Sequence, residues 1–173
     1  MRRPVILGAV TLALLGVLAA GPVRADGVNP AREAPWRGYL RAMDRAIDGQ
    51  DVGAAERAWH EAYLTALGTW GSDGMMDVAD AYVRLNRISN PGPAAMAKAR
   101  NLYLAAFFRA RQQRSVDGLL RAAEGFARVG DRAAAEQALR IAESLAAEVG
   151  DRHAPARIRA LASTLAVTPE AGR

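Results

Sequence analysis

The chain has 173 residues, of which 51% are hydrophobic, 24% charged and 6% aromatic, and its formal net charge is +5. This apolar content suffices for one domain core and excludes gross disorder. The absence of cysteine excludes disulfides, thiolate metal sites, cysteine nucleophiles and a lipid-modified N-terminal cysteine. Alanine, the best helix former, occurs 39 times, whereas valine, isoleucine and threonine are too sparse to furnish a sheet. The composition therefore predicts an all-α protein.

The N-terminal segment, residues 1–25, has the features of a Sec-type signal peptide. Two arginines precede an uncharged run over residues 5–20, which is followed by a Gly-Pro pair and by small side chains at Val23 and Ala25. We expect cleavage after Ala25 and a periplasmic location, with no stable membrane span in the mature chain. The alternative is an uncleaved anchor, because residues 5–23 approach the roughly 20 needed to cross a bilayer.

Removal of this segment changes the charge balance. Residues 1–25 hold three arginines and no acidic residue, so the formal charge of the mature chain falls from +5 to +2. Nucleic-acid binding needs a basic patch or stripe, which a nearly balanced surface does not provide. We therefore expect no nucleic-acid partner.

Large side chains recur at matched intervals after a flexible lead-in over residues 26–35. They share columns at helical spacing, one column holding Trp59, Tyr103 and Leu139, a second Tyr63 and Phe107, a third Tyr82 and Phe126, and a fourth Tyr39, Met75 and Leu119. The columns predict three helix pairs, at about residues 36–70, 74–114 and 116–150. No single pair could bury its apolar face alone, so a stacked array is expected.

Turn residues mark the boundaries of these pairs. Asp51 and Asp131 follow short turns and can cap the next helix by accepting hydrogen bonds from its first N–H groups. The second pair contains eight extra residues over 87–94, including an Asn-Pro-Gly-Pro run. This run is either a contact loop or a tolerated insertion without a role. A Gly-Asp pair then ends the third helix pair, and a capping helix over residues 151–166 precedes a tail over 167–173.

These positions resemble the tetratricopeptide repeat (TPR) family over about residues 36–150. The third pair is the closest to the family spacing, through Leu119, Ala122, Ala123, Phe126, Gly130, Ala135, Leu139 and Ala142. The chain departs from the family in lacking its leading tryptophan, and in having Leu67, Arg111 and Ala147 where a proline is usual. The resemblance implies a right-handed superhelical array of about three TPR-like hairpins.

The first helix of each pair is expected to line a concave groove. The residues that would face it are Leu40, Asp44, Asp48, Met76, Asp80, Arg84, Leu120, Glu124 and Arg128. An acid in the middle of each helix would form an acidic ridge between apolar residues, which favours a partner segment with Lys or Arg and apolar anchors. Alternatively, the acids only keep a helix face soluble. A second candidate is the cationic cluster Arg109, Arg111 and Arg114, which also complements a helix dipole.

Residues typical of catalysis or metal binding do not converge. His60 lies one turn after Glu56 without an evident third ligand, and His153 stands at the start of the last helix. Met75 and Met76 form at most a weak copper motif. We therefore expect no enzymatic activity, no metal and no cofactor in this chain.

Two functions fit the sequence. The first is a periplasmic scaffold or adaptor that binds an exported or envelope protein. The alternative is a small-molecule or cofactor carrier with a ligand site between helices, near Trp59, Trp70, Tyr103 and Phe107.

Overall fold

A computed structural model describes residues 34–89 and 92–167, and these residues form seven α-helices and no strand. The helices are α1 (Pro35–Asp48), α2 (Val52–Leu67), α3 (Ser72–Ser89), α4 (Pro93–Gln112), α5 (Val116–Arg128), α6 (Arg132–Val149) and α7 (Ala154–Val167). The all-α prediction is confirmed for this part of the chain. The predicted signal peptide, nearly all of the lead-in and almost the whole tail lie outside the described residues.

The helices pack mainly against their neighbours in sequence. Contacts join α1 to α2, α3 to α4 and α5 to α6, and further contacts join α2 to α3, α4 to α5 and α6 to α7. The turns within the first and third pairs have only three residues, so those helices are antiparallel. In addition, α1 contacts α3, α3 contacts α5, and α5 contacts α7. These four helices therefore lie side by side, and we call the surface they share the odd-helix face.

Polar side chains cap the N-termini of four helices. Asp51 and Asp131 each accept a hydrogen bond from the backbone N–H three residues later, at 2.8 and 3.0 Å. Asp151 accepts two, at 2.9 and 3.1 Å, at the start of α7. These bonds confirm the predicted aspartate caps. Ser115, which was not predicted as a cap, caps α5 through a bond of 3.0 Å.

The predicted insertion over residues 87–94 mostly lengthens the second helix pair. The helices α3 and α4 have 18 and 20 residues, whereas α1 and α2 have 14 and 16. The first of the long helices continues to Ser89, and the second begins at Pro93, where a missing N–H costs no hydrogen bond. Most of the extra length is thus helical.

The predicted columns of large residues form much of the core. Tyr103 is fully buried and Phe126 is nearly so, while the buried Trp59 donates a hydrogen bond of 3.0 Å from its Nε1 to a backbone carbonyl of α3. Tyr39 is the exception, because it is 42% exposed although its column partners on α3 and α5 are buried. Among the described residues no helix precedes α1, and they leave this ring partly exposed.

Close helix contacts depend on glycine at two repeat positions. A Cβ added at Gly125 would lie 2.3 Å from the ring of Tyr103, and one added at Gly118 would lie 2.7 Å from an alanine Cβ of α4. Gly74 is the residue of α3 equivalent to Gly118, and a Cβ added there would lie 3.1 Å from an alanine Cβ of α2. Gly38 occupies this position in α1 and meets only an arginine side chain, at 4.0 Å. Glycine is therefore needed at this position only where a preceding hairpin packs closely against the helix.

We expect Gly125→Ala to lower the free energy of unfolding by about 1–3 kcal/mol, because the new methyl group overlaps a buried ring. Gly38→Ala is the matched control, since it makes the same change in an exposed helix position and should raise stability by about 0.5–1 kcal/mol. Urea unfolding of both variants measures the difference. Equal effects of the two substitutions would contradict the packing shown by these helices.

Candidate functional site

The predicted groove residues lie on α1, α3 and α5, within the odd-helix face. Their apolar members are largely buried, because Leu40 and Leu120 are 8% and 7% exposed and Met76 is 1% exposed. Leu40 and Leu120 still reach the floors of two surface clefts, whereas Met76 belongs to the core. The structure therefore leaves two of the three expected apolar anchors accessible, and only at cleft floors.

The acids of the predicted ridge differ in their surroundings. Asp44 pairs with Arg84 at 3.1 Å, and both side chains are about half exposed. Asp80 accepts hydrogen bonds from the Tyr103 hydroxyl at 2.7 Å and from Arg128. Glu124 is exposed and forms no ion pair within the described part of the chain. Asp48 is exposed at the end of α1. Two of the three acids are thus neutralised by arginines.

Asp77 is the centre of the charge network on this face. It accepts hydrogen bonds from Trp36 Nε1 at 2.9 Å, from Arg37 Nε at 3.3 Å and from Arg121 at 3.0 Å. Arg121 also reaches Asp80 at 3.4 Å. These bonds connect α1, α3 and α5 through one carboxylate, whose side chain is only 18% exposed.

Neither Asp77 nor Arg121 was among the residues predicted from the sequence, although a signal for both was present. The two residues are 44 positions apart, which is the spacing that relates equivalent positions of the second and third helix pairs. They therefore occupy the same repeat position with opposite charges. Equivalent residues of α3 and α5 face each other across the odd-helix face, so this inversion of charge predicts an ion pair.

The network shifts the pKa values of its members. Burial alone raises the pKa of Asp77, but the hydrogen bonds from Trp36 and Arg121 and the charge of Arg121 outweigh it, so the pKa lies below its usual value. Burial, together with the Asp80 carboxylate, raises the pKa of Tyr103 well above its usual value. Asp77 is therefore ionised and Tyr103 is neutral at ordinary pH.

A cleft on the odd-helix face lies between α5 and α7 and has a volume of about 500 Å³. Leu120 and Leu161 supply its apolar surface, and Glu124 stands on its wall. Arg157 of α7 pairs with Asp117 of α5 across the cleft. The cleft thus combines an apolar floor with an exposed carboxylate that has no ion-pair partner among the described residues.

A second cleft, of about 300 Å³, lies between α1 and α3. Leu40 forms its apolar part, and the Asp44–Arg84 pair stands at its side. Arg37, Asp77 and other charged residues complete the lining. Charged side chains of both signs surround a single apolar residue, so this cleft offers less apolar contact than the cleft between α5 and α7.

The candidate metal and catalytic residues are separate from these clefts. His60 is exposed on α2, and His153 is exposed where its backbone N–H donates to the Asp151 cap. Met75 and Met76 are both 1% exposed and belong to the core. Within residues 34–89 and 92–167, no group of three or more histidine or acidic side chains is arranged to hold a metal ion.

The four aromatic residues considered for a carrier site do not line one cavity. Trp59, Tyr103 and Phe107 are buried in the core, whereas Trp70 is 90% exposed. Lys98 lies with its Nζ 4.6 Å from the centroid of the Trp59 ring and 4.8 Å from that of Tyr82. The only lysine of the chain therefore covers the outer face of this aromatic group.

The cationic cluster at the end of α4 has mainly structural contacts. Arg109 donates to four backbone carbonyls at the C-terminal end of α2 and in the following loop, at 2.7–3.3 Å. Arg114 pairs with Glu148 at 2.9 Å, and Arg111 is exposed. A cation at these carbonyls satisfies acceptors that have no intrahelical partner.

Comparisons with known protein families, with curated proteins and with solved structures find no significant match. In the described ranges, none of the helices combines the length and the apolar character needed to cross a bilayer. A likeness to any family therefore depends on the repeat positions of this chain alone.

Asp77→Asn should lower the free energy of unfolding at pH 7 by about 1.5–3 kcal/mol, because a hydrogen-bonded charge is lost. The folded-state pKa of Asp77 is depressed, so its contribution is complete above the unfolded value near 3.9 and is lost as pH falls through the folded pKa. The stability difference between the two proteins should therefore narrow below about pH 4. Urea unfolding across this pH range measures it.

Asp48→Asn is the control for this experiment. The side chain of Asp48 is exposed, so its substitution should change stability by at most about 0.5 kcal/mol at any of these pH values. A stability difference for Asp77→Asn that stays constant down to pH 2–3 would contradict the assigned pKa shift.

Proposed function

We propose that this chain is an exported, TPR-like interaction protein that binds a protein partner on its odd-helix face. The signal-peptide features of residues 1–25 support export to the periplasm. Helix pairs that contact the next pair through both their first and second helices support a right-handed superhelical array of TPR type. The proposal assigns the chain no catalytic role.

The observation that carries this proposal is the cleft between α5 and α7. A volume of about 500 Å³ with Leu120 and Leu161 on its surface accepts one or two side chains of a peptide. Glu124 would pair with a cationic side chain beside them. We propose that the partner presents a lysine or arginine next to an apolar residue, on a helix or an extended segment.

Ion pairs between neighbouring helices hold the walls of this cleft in place. Arg121 lines the cleft and is bound on its other side by Asp77 and Asp80 of α3. Arg157 bridges from α7 to Asp117 of α5. Because both walls are held by ion pairs to neighbouring helices, the cleft is formed before a partner binds, which lowers the entropic cost of binding.

A site-specific photocrosslinker tests the proposal in the envelope of the source cells. Ala160 is exposed and lines the cleft, so a photoreactive amino acid at this position should form a defined adduct with the partner. The same group at Ala156, which is exposed on α7 but does not line the cleft, is the position control and should not form that adduct.

Charge reversal identifies the chemistry of the contact. Glu124→Lys should reduce the Ala160 adduct about tenfold, because it repels the cationic group of the partner. Glu56→Lys makes the same change on the exposed surface of α2 and should leave the adduct unchanged. An adduct insensitive to Glu124→Lys would contradict the cleft assignment, and the absence of any adduct at Ala160 would contradict the proposed function.

A further inference from the structure

A second surface lies at the C-terminal ends of α2 and α4. Trp70, in the loop between α2 and α3, is 90% exposed, and Leu64, Leu67 and Phe108 are 48%, 42% and 50% exposed. Arg111 is exposed one helical turn after Phe108. We call these five residues the Trp70 edge. They combine aromatic, aliphatic and cationic side chains, and they lie outside the clefts of the odd-helix face.

The backbone beneath Trp70 is held by the end of α4. Arg109 bonds to the carbonyls of Thr69 and Gly71 at 2.7 and 3.3 Å, and to two carbonyls of the last turn of α2. The Gln113 side chain donates to the Trp70 carbonyl at 2.5 Å and accepts from the N–H of Ser72 at 3.3 Å. Three of these six hydrogen bonds fix the loop itself and three fix the helix ends beside it, whereas the largest side chain of the loop contacts little of the protein.

The charge around this edge is positive. Arg109, Arg111 and Arg114 all lie in the last turn of α4 or directly after it. Glu148 offsets Arg114 through an ion pair of 2.9 Å. The last turn of α2 contains no acidic residue. Asp73, three residues after Trp70, is offset by Arg121 at 3.5 Å. With these two acids paired, the arginines beside the exposed apolar side chains complement an anionic partner.

We propose that the Trp70 edge docks onto an anionic phospholipid bilayer surface. The Trp70 ring has an apolar body and a polar N–H, the combination that favours the headgroup region of a membrane. Leu67 and Phe108 enter the same interface, while Arg111 pairs with lipid phosphates. The contact is peripheral, made by side chains of a loop and two helix ends.

A bilayer fits this edge better than an acidic protein does. Trp70 projects from a turn and lies in none of the clefts described above, so a protein partner would need a matching pocket. The interfacial region of a bilayer accepts a projecting ring without such a pocket. The proposal does not depend on the function proposed for the odd-helix face, because the two surfaces share no residue.

Vesicle binding tests the proposal with the full chain. Trp36 and Trp59 are 8% and 5% exposed, so a change in tryptophan emission on binding reports mainly Trp70. We expect a blue shift with vesicles of phosphatidylglycerol and phosphatidylcholine, and quenching of Trp70 when the acyl chains are brominated. Vesicles of phosphatidylcholine alone should bind at least tenfold more weakly, and added salt should weaken binding to the anionic vesicles.

Two substitutions separate the apolar and cationic contributions. Trp70→Ala should remove the quenching, and Arg111→Ala should weaken partition to anionic vesicles about fivefold. Arg45→Ala is the control, because it removes an exposed arginine in the last turn of α1, at the opposite end of the first hairpin. Every variant has the same N-terminal region, so differences between them report only the substituted side chain.

Two outcomes would overturn the proposal. One is equal partition of the wild type and of the Trp70→Ala and Arg111→Ala variants, which would place any membrane contact elsewhere in the chain. The other is binding of a soluble acidic peptide through Trp70 with no quenching by brominated lipid. Circular dichroism of each variant confirms that it is folded.

Discussion

The packing of successive helix pairs depends on contact between residues that have almost no side chain. Gly74 and Gly118 face alanines of the preceding helix at distances that exclude even a methyl group at Gly118. Ala154 occupies the equivalent position in α7 and is fully buried. A larger residue at these positions would force the helices apart, because a packed interior has no spare volume. The side-by-side arrangement of α1, α3, α5 and α7 follows from this close approach.

That arrangement brings charges from distant parts of the sequence within ion-pairing distance. Asp77 receives hydrogen bonds from α1 and α5, and Arg157 of α7 reaches Asp117 of α5. Each of these ion pairs is partly exposed and contributes little alone, but Asp77 joins three helices through a carboxylate that is mostly buried. The middle of the odd-helix face is neutralised in this way. In the function proposed above, a partner is recognised through local features, an apolar floor and the carboxylate of Glu124, and less through a continuous acidic surface.

Features that depend on short stretches of sequence could be predicted. Asp131 caps an N–H only three residues later, so the local sequence predicted this cap. Trp59 and Tyr103 each follow the apolar spacing of their own helix, so the same kind of local pattern predicted their burial. Features that depend on the neighbouring helix could not. The exposure of Tyr39 depends on the helices around α1, which the periodicity of α1 does not contain.

The candidate site was predicted only in part for the same reason. Helical spacing selected Asp80 and Glu124 as facing the groove, but the neutralisation of Asp80 depends on how far α5 is offset from α3. Arg109 illustrates the limit most clearly. Its position suggested an interaction with the dipole of its own helix, whereas its guanidinium satisfies carbonyls about 40 residues earlier in the chain.

Burial of the Trp70 side chain contributes almost nothing to the stability of the fold, because this residue is 90% exposed. An exposed apolar patch of this kind also favours aggregation, so its presence argues for contact with another molecule or surface. Arg109 and Gln113 hold the backbone on both sides of the ring, so little backbone entropy remains to be lost on binding. The same bonds that end α2 therefore prepare Trp70 for contact with another surface, and this preparation is independent of the charges that organise the odd-helix face.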